Sequence, residues 1–456
     1  MNLHRLLLAR AETGKPVRVG LIGAGKFGSM FLSQIASTPG LHLLAVADLD
    51  VDRARRALAD TGWEAHRYGA ASAAKALAGG STFVTDDGEA LINAGGLDVV
   101  VEATGNPEAG IHHAMLAIER NRHIVMVNVE ADVLAGPLLA RMAADAGVVY
   151  SMAYGDQPAL ICEQVDWART CGLEVVAAGK GTLYMPEFHA STPDTVWDHY
   201  GLTEKRAKAS GMNAKMFNSF LDGTKSSIEM AAVANGTGLT PAPTGLAFPA
   251  CAVGDLASTL IPKTDGGVLH HSGQVEVVSC RQRDGVEVEN DLRWGVYVTF
   301  VAPSDYVERC FADYGLITDA SGRYSALWRP YHLIGLELGV SVATAALQNL
   351  PTGTPDGFRA DVVATAKRRL EKGEVLDGEG GHTVWGRLMT ASDSMGFGAV
   401  PIGLAHGLTL VKPIESGEIV TWKDVKLNDA TTQSTSYRMR RLMEQEFDPA
   451  TTAKAS

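Results

Sequence analysis

From Val17 to Tyr150, short apolar runs rich in β-branched residues alternate with longer amphipathic stretches. VRVGLIG, LLAVAD, LDVVVEAT, HIVMVN and GVVYSM read as buried strands, and the stretches between them as helices. Strands alternating with helices imply a parallel sheet covered on both faces. Residues 1–150 are therefore expected to form a doubly wound α/β domain. An Ala-, Gly- and Ser-rich insertion from Trp63 to Phe83 reads as one helix and a loop.

From about 151 to 350 the pattern is mixed. LEVVAAGKGT, VEVVSC and WGVYVTFVA are strand-like, and a helical stretch runs from Asn213 to Ala234. Helices with antiparallel strands predict an α+β domain, expected to catalyse and to supply a subunit contact. NLPTGTPDG, Asn349 to Gly357, marks a junction by its Pro and Gly residues. Residues 351–446 then read as a small β-rich domain closed by a helix from Ser434 to Glu446, with 447–456 a loose tail.

The charge balance, 40 Lys and Arg against 52 Asp and Glu for a net of -12, offers no general attraction for nucleic acid or anionic lipid. Any anionic ligand must be held by a local cluster of cations. Cys162, Cys171, Cys251, Cys280 and Cys310 are odd in number and contain no C-x-x-C pair, which suits reduced thiols in the cytoplasm. The apolar run near the start, Leu6 to Ala9, is too short for a secretory signal, and no run is long enough to span a membrane.

Gly23, Gly25 and Gly28 form G-x-G-x-x-G after a strand-like run and before an amphipathic helix, the context in which the motif binds a dinucleotide. Gly23 permits the turn, Gly25 lets backbone approach a pyrophosphate, and Gly28 lets the helix sit close to the strand. Lys26 and Phe27 belong to the same loop. Asp48 ends the next strand, where an acid can bind a ribose hydroxyl and favours NAD; Arg53, with Arg55 and Arg56, lies close enough to meet the 2′-phosphate of NADP. The residues leave NAD and NADP open. Thr104 and Gly105, in ATGNP after another strand, are expected to pass under the cofactor.

Candidates for chemistry concentrate in Ser210 to Met230. Read as one helix, Asn218, Asp222, Lys225 and Glu229 recur at spacings of four, three and four and share a face. Such a face is a reaction site, or an exposed surface with Lys225 paired to Asp222 and Glu229; the sparse charge around it favours the site. Lys180, between two glycines at a strand end, can reach a cleft. Asp156 and Gln157, in YGDQPAL, follow the last strand of the first domain and can touch nicotinamide or substrate, or cap a helix. The histidines lack the spacing of a zinc helix. No metal signature is present; a reaction needing a divalent ion has Asp222 and Glu229 to offer.

GLIGAGKFG, EATGNP, YGDQPAL and FLDGTKSSIEM resemble the homoserine dehydrogenase-like superfamily, with Asp222 and Lys225 similar to its catalytic acid and lysine. NVEAD, Asn128 to Asp132, stands where the usual lysine would be. LEKGEVLDGEGG and LVKPIESGEIVTWKDVKL resemble a SAF domain. Together these parts resemble the DXR-like reductoisomerase family. The resemblance implies a cytoplasmic homodimer that uses NADPH to convert 1-deoxy-D-xylulose 5-phosphate, a phosphorylated sugar, to 2-C-methyl-D-erythritol 4-phosphate for isoprenoid synthesis. In that scheme Lys180 and Lys225 stabilise oxyanions, Asp222 or Glu229 moves protons, and Lys215, Asn218 and Ser226 hold the phosphate. The alternatives are a dehydrogenase or oxidoisomerase acting on homoserine or a sugar acid, and a non-catalytic NAD(P)-sensing SAF protein.

Overall fold

The computed structural model describes residues 2–209 and 212–447, so the expected loose tail lies, after Phe447, outside the described residues, as does Ser210. The chain forms two compact units, Met1–Leu160 with His332–Asp356, and Ile161–Tyr331 with Gly357–Ser456.

The first unit is built on six parallel strands: β1 Val17–Ile22, β2 Leu41–Ala47, β3 Phe83–Thr85, β4 Val99–Glu102, β5 His123–Met126 and β6 Tyr150–Met152. Their order is β3-β2-β1-β4-β5-β6. The chain thus builds outward from β1 to β3 and then crosses back to β4, which leaves a crevice at the carboxyl ends of β1 and β4. Ile22 is in register with both Ala47 and Glu102, so the loops after β1, β2 and β4 open at one edge. Val19, Leu21, Val99 and Val101 meet Phe31, Leu32 and Ile35 of the helix Lys26–Ile35 in the core.

Two elements of this unit escape the hydrophobic pattern. β3 is three residues long, too short to show alternation. The helix Gly339–Gln348 lies far along the chain, yet Leu338 and Val342 complete the core around Phe31 and Val101.

In the second unit a sheet of order β10-β9-β7-β8 joins β7 Glu174–Thr182, β8 Gln274–Ser279, β9 Val296–Val301 and β10 Tyr324–Arg329. β7 and β8 are parallel and the other two pairs antiparallel, so the sheet is mixed where antiparallel strands are expected. The helix Thr224–Thr237 packs on β7 and β8, and also on an antiparallel pair, β11 Ala360–Ala366 with β12 Val384–Thr390. It is buried nearly all round, as a helix between two layers must be. The β-rich segment after Gly357 therefore shares a unit with residues 161–331. A short pair, β13 Thr409–Leu410 with β14 Val425–Lys426, follows. The last helix, Thr435–Glu446, is anchored by buried Arg440, whose guanidinium makes two bonds to buried Asp361. Among the described residues no helix is long and apolar enough to cross a membrane.

Candidate functional site

In the first unit each motif glycine has its own geometry. Gly23 has φ +99°, and a Cβ there would lie 2.5 Å from the Ala103 carbonyl oxygen. A Cβ on Gly28 would lie 2.3 Å from the Gly23 oxygen, so the helix sits hard against the turn. A Cβ on Gly25 would meet nothing within 4 Å, and Gly25 caps the helix Lys26–Ile35 with no side-chain bond to its N-terminus. The free helix end and open backbone fit a pyrophosphate. Lys26 is exposed at the first helical position, and Phe27 packs partly into the core.

Asp48 is placed differently from the expectation. Its Oδ2 accepts from Ala24 N at 2.8 Å and Arg53 Nε at 3.2 Å, and its Oδ1 from Asp50 N at 2.9 Å and Arg53 at 2.6 Å. A carboxylate offers about four acceptor sites, and all are filled. A ribose hydroxyl could reach Asp48 only by displacing Arg53, whose side chain is 54% exposed. Thr104 donates through its hydroxyl to buried Glu102 at 2.5 Å, and Gly105, at φ +67°, has open space over it. Asp156 and Gln157 are buried at the start of the helix Gln157–Thr170, with Gln157 N donating to Asp156 Oδ1 at 2.8 Å.

In the second unit the expected single helix is two. Ala214–Leu221 ends at Asp222, Gly223 turns the chain at φ +90°, and Thr224–Thr237 begins. The spacing of four, three and four therefore does not align one face. Neither does the group form an exposed surface: Asn218 and Asp222 are 0% exposed and Glu229 3%.

The two carboxylates find lysines distant in sequence. Lys180, on β7, pairs with Glu229 on the helix above the sheet, both buried. Asp222 pairs with Lys367, whose Nζ lies 2.8 Å from Oδ2. Lys367 also donates to the Ser191 and Gly381 carbonyls, each at 2.7 Å. Burial pushes the Asp222 carboxyl up, against the pull of Lys367 and of Thr224 N. Lys225 is half-buried. Among the described residues no group of three His, Cys, Asp or Glu side chains is placed to hold a metal ion. With each carboxylate held by an ammonium, Asp222 and Glu229 do not fit a divalent ion.

Each expected phosphate holder has its own surroundings. Asn218 accepts from Ser191 Oγ and donates to the Ser191 and Gly380 carbonyls, so both its amide hydrogens are engaged. Ser226 is buried within its helix. Lys215 is exposed and donates to the Asp377 carbonyl at 2.5 Å.

Two groups beside Asp222 have no signal in the sequence. His189 Nδ1 lies 2.7 Å from the Asp222 carbonyl and Nε2 2.9 Å from the Tyr184 hydroxyl. The carbonyl can only accept, so Nδ1 carries the proton and Nε2 accepts from Tyr184. The imidazole stacks on Trp385 with centroids 3.9 Å apart. Lys367 sits in a run of basic residues, and His189 beside a proline turn, and neither pattern separates a buried group from an exposed one.

Residues 155–338 match the model for oxidoreductase DRL, catalytic domain. No curated protein matches the chain. Among solved structures, myo-inositol dehydrogenase from Lactobacillus casei in complex with NAD(H) and myo-inositol is 16% identical, over 41% of this chain and 52% of its own, with a TM-score of 0.29. An oxidoreductase from Agrobacterium radiobacter in complex with NAD+, L-tartaric acid and magnesium is 15% identical, over 45% and 54%, at 0.29. Biliverdin reductase from Synechocystis sp. PCC 6803, in complex with biliverdin and NADP+, is 19% identical, over 37% and 48%, at 0.24. The matches thus span about half the length of these proteins (52%, 54% and 48%).

The matched family corrects the resemblance drawn from residues. The chain is similar to the oxidoreductase DRL catalytic domain, not to the DXR-like reductoisomerases or the homoserine dehydrogenase-like superfamily, and the conversion of 1-deoxy-D-xylulose 5-phosphate falls with that assignment. The resemblance rested on the combination of a glycine-loop domain, the block around Asp222 and a SAF-like tail, an architecture that does not fix the reaction.

Proposed function

We propose that the chain is an NAD(P)-dependent oxidoreductase that prefers NADPH and acts on a hydroxyl or carbonyl of a small polar molecule. The observation that carries the reading is the loop at Gly23, Gly25 and Gly28, with one glycine forced into the turn, one open to a ligand and one pressed on the strand. The match of 155–338 to an oxidoreductase catalytic domain supports it. Arg53, extended over a saturated Asp48, supports NADPH, because a guanidinium at the ribose edge meets a 2′-phosphate.

A bound nicotinamide supplies or accepts the hydride. The chain must then move a proton at the substrate oxygen and stabilise its developing charge. Lys180 and Glu229 fit that task as a hydrogen-bonded acid and base in a site shielded from water. Lys367 holds the Asp222 carboxylate in place, and Lys225 joins the proposal as a second cation. The SAF-like reading of 351–446, the homodimer and the cytoplasmic address are parts of the same proposal.

The test is to titrate NADPH and NADH by fluorescence and then follow turnover over a panel of polyols, hydroxy acids and their carbonyl partners. Saturable cofactor binding with turnover on any member supports the reading. Failure of both cofactors to bind would sink it.

A further inference from the structure

The overall charge of -12 leaves any small anion dependent on a local cluster of cations. Such a cluster surrounds His189. Trp385 and Arg387 stand two apart on β12 and so share a face, with Trp385 stacked on the imidazole. Arg283 lies over the ring of Tyr184, its guanidinium carbon 5.2 Å from the centroid, and Tyr184 bonds His189. Lys367 and Arg387 both act on the imidazole.

The two arginines stand apart from those whose charge is already met by an acid. Arg53, Arg281, Arg368, Arg369, Arg440 and Arg441 each pair with a carboxylate. Arg283 donates only to the carbonyls of Ala247 and Phe248, and Arg387 only to that of Thr244; among the described residues neither makes an ion pair. Each retains several of its five N–H donors. Of the acids nearby, Asp222 is held by Lys367, buried Glu276 accepts from Ala247, Phe248 and Val277 N, Asp284 accepts from Val286 N, and exposed Glu187 acts on Tyr184.

We propose that Arg283 and Arg387, beside His189, form a subsite for the oxyanion of a small acidic molecule, a phosphate monoester or a carboxylate. The guanidinium forks bind two oxygens, and Trp385 and Tyr184 wall the site on its apolar side. The inference deepens the oxidoreductase reading by giving its substrate a charged end, and rests on that reading only in calling the anion a substrate.

The experiment titrates the full chain, labelled at histidine, with inorganic phosphate, glycerol phosphate and glycerate, reading the His189 ring resonance assigned by loss in His189→Gln. Saturable displacement by phosphates, by glycerate or by both supports the subsite and identifies the oxyanion. Arg387→Gln and, separately, exposed Arg283→Gln should each weaken binding about tenfold or more at an unchanged melting temperature. No saturation with any probe, or affinities equal to wild type in both variants, overturns the subsite. Because no turnover is read, a chain that binds these anions yet binds no nicotinamide overturns the oxidoreductase reading alone.

Discussion

Lys367 and Asp222 form a buried ion pair that joins the strand end after β11 to the turn between two helices, and the same ammonium clamps the carbonyls of Ser191 and Gly381. Removing the cation leaves a carboxylate with no compensating charge. Lys367→Met should destabilise the protein by about 3 to 5 kcal/mol, and Asp222→Asn with Lys367→Met should recover part of that. Urea unfolding of both variants decides it; a single variant as stable as wild type refutes the role.

Glu229 and Lys180 are the other buried pair. Glu229→Gln keeps the shape and removes the base, so kcat should fall about a hundredfold or more while NADPH affinity stays as in wild type. Equal turnover in the variant would leave the pair a purely structural one.

The motif glycines should fail in different ways. Gly25→Ala meets no atom of the chain, so its melting temperature should hold while NADPH affinity drops about tenfold or more, the methyl standing where backbone meets pyrophosphate. Gly28→Ala drives its methyl to 2.3 Å from a carbonyl oxygen and should cost about 1 to 3 kcal/mol of stability. Thermal melts with and without cofactor separate the two.

Arg53→Ala frees the Asp48 carboxylate and removes the candidate phosphate partner. Dissociation constants should rise about tenfold for NADPH and fall or stay level for NADH. A parallel loss for both cofactors would argue against a role at the 2′-phosphate.

Asp132 accepts the Tyr150 hydroxyl at 2.9 Å deep in the first unit, and burial raises its carboxyl to about 7. The unfolded chain loses this proton near the ordinary value of 3.8, so its contribution to stability is whole below that pH and is lost as pH rises toward 7. Asp132→Asn should therefore gain stability relative to wild type across that window and hold the gain above it. Glu276, also raised to about 7, titrates in both proteins and cancels from the difference. A difference flat in pH would refute the assignment.

The first unit is legible in the chain because its determinants are local. Five of its six strands announce themselves as apolar runs, and Gly23, Gly25 and Gly28 act within one turn. The short β3 and the helix Gly339–Gln348 do not, since one carries too few residues and the other belongs to this unit only by packing. Lys180, Asp222 and Glu229 stand out as polar residues in apolar surroundings, and the structure buries all three.

Sequence alone thus determined the parallel sheet and the glycine-rich loop, since hydrophobic period and glycine placement act over a few residues. Tertiary structure decided which charges meet. Gly223 at φ +90° splits the expected helix, so spacing along the chain no longer predicts proximity. Buried ions then pair with whichever opposite charge the packing delivers: Lys180 from a sheet, Lys367 from beyond β11, Arg53 folded back on Asp48. Charge pairing acts through space and has no period, and the cations gathered at His189 are its least readable product.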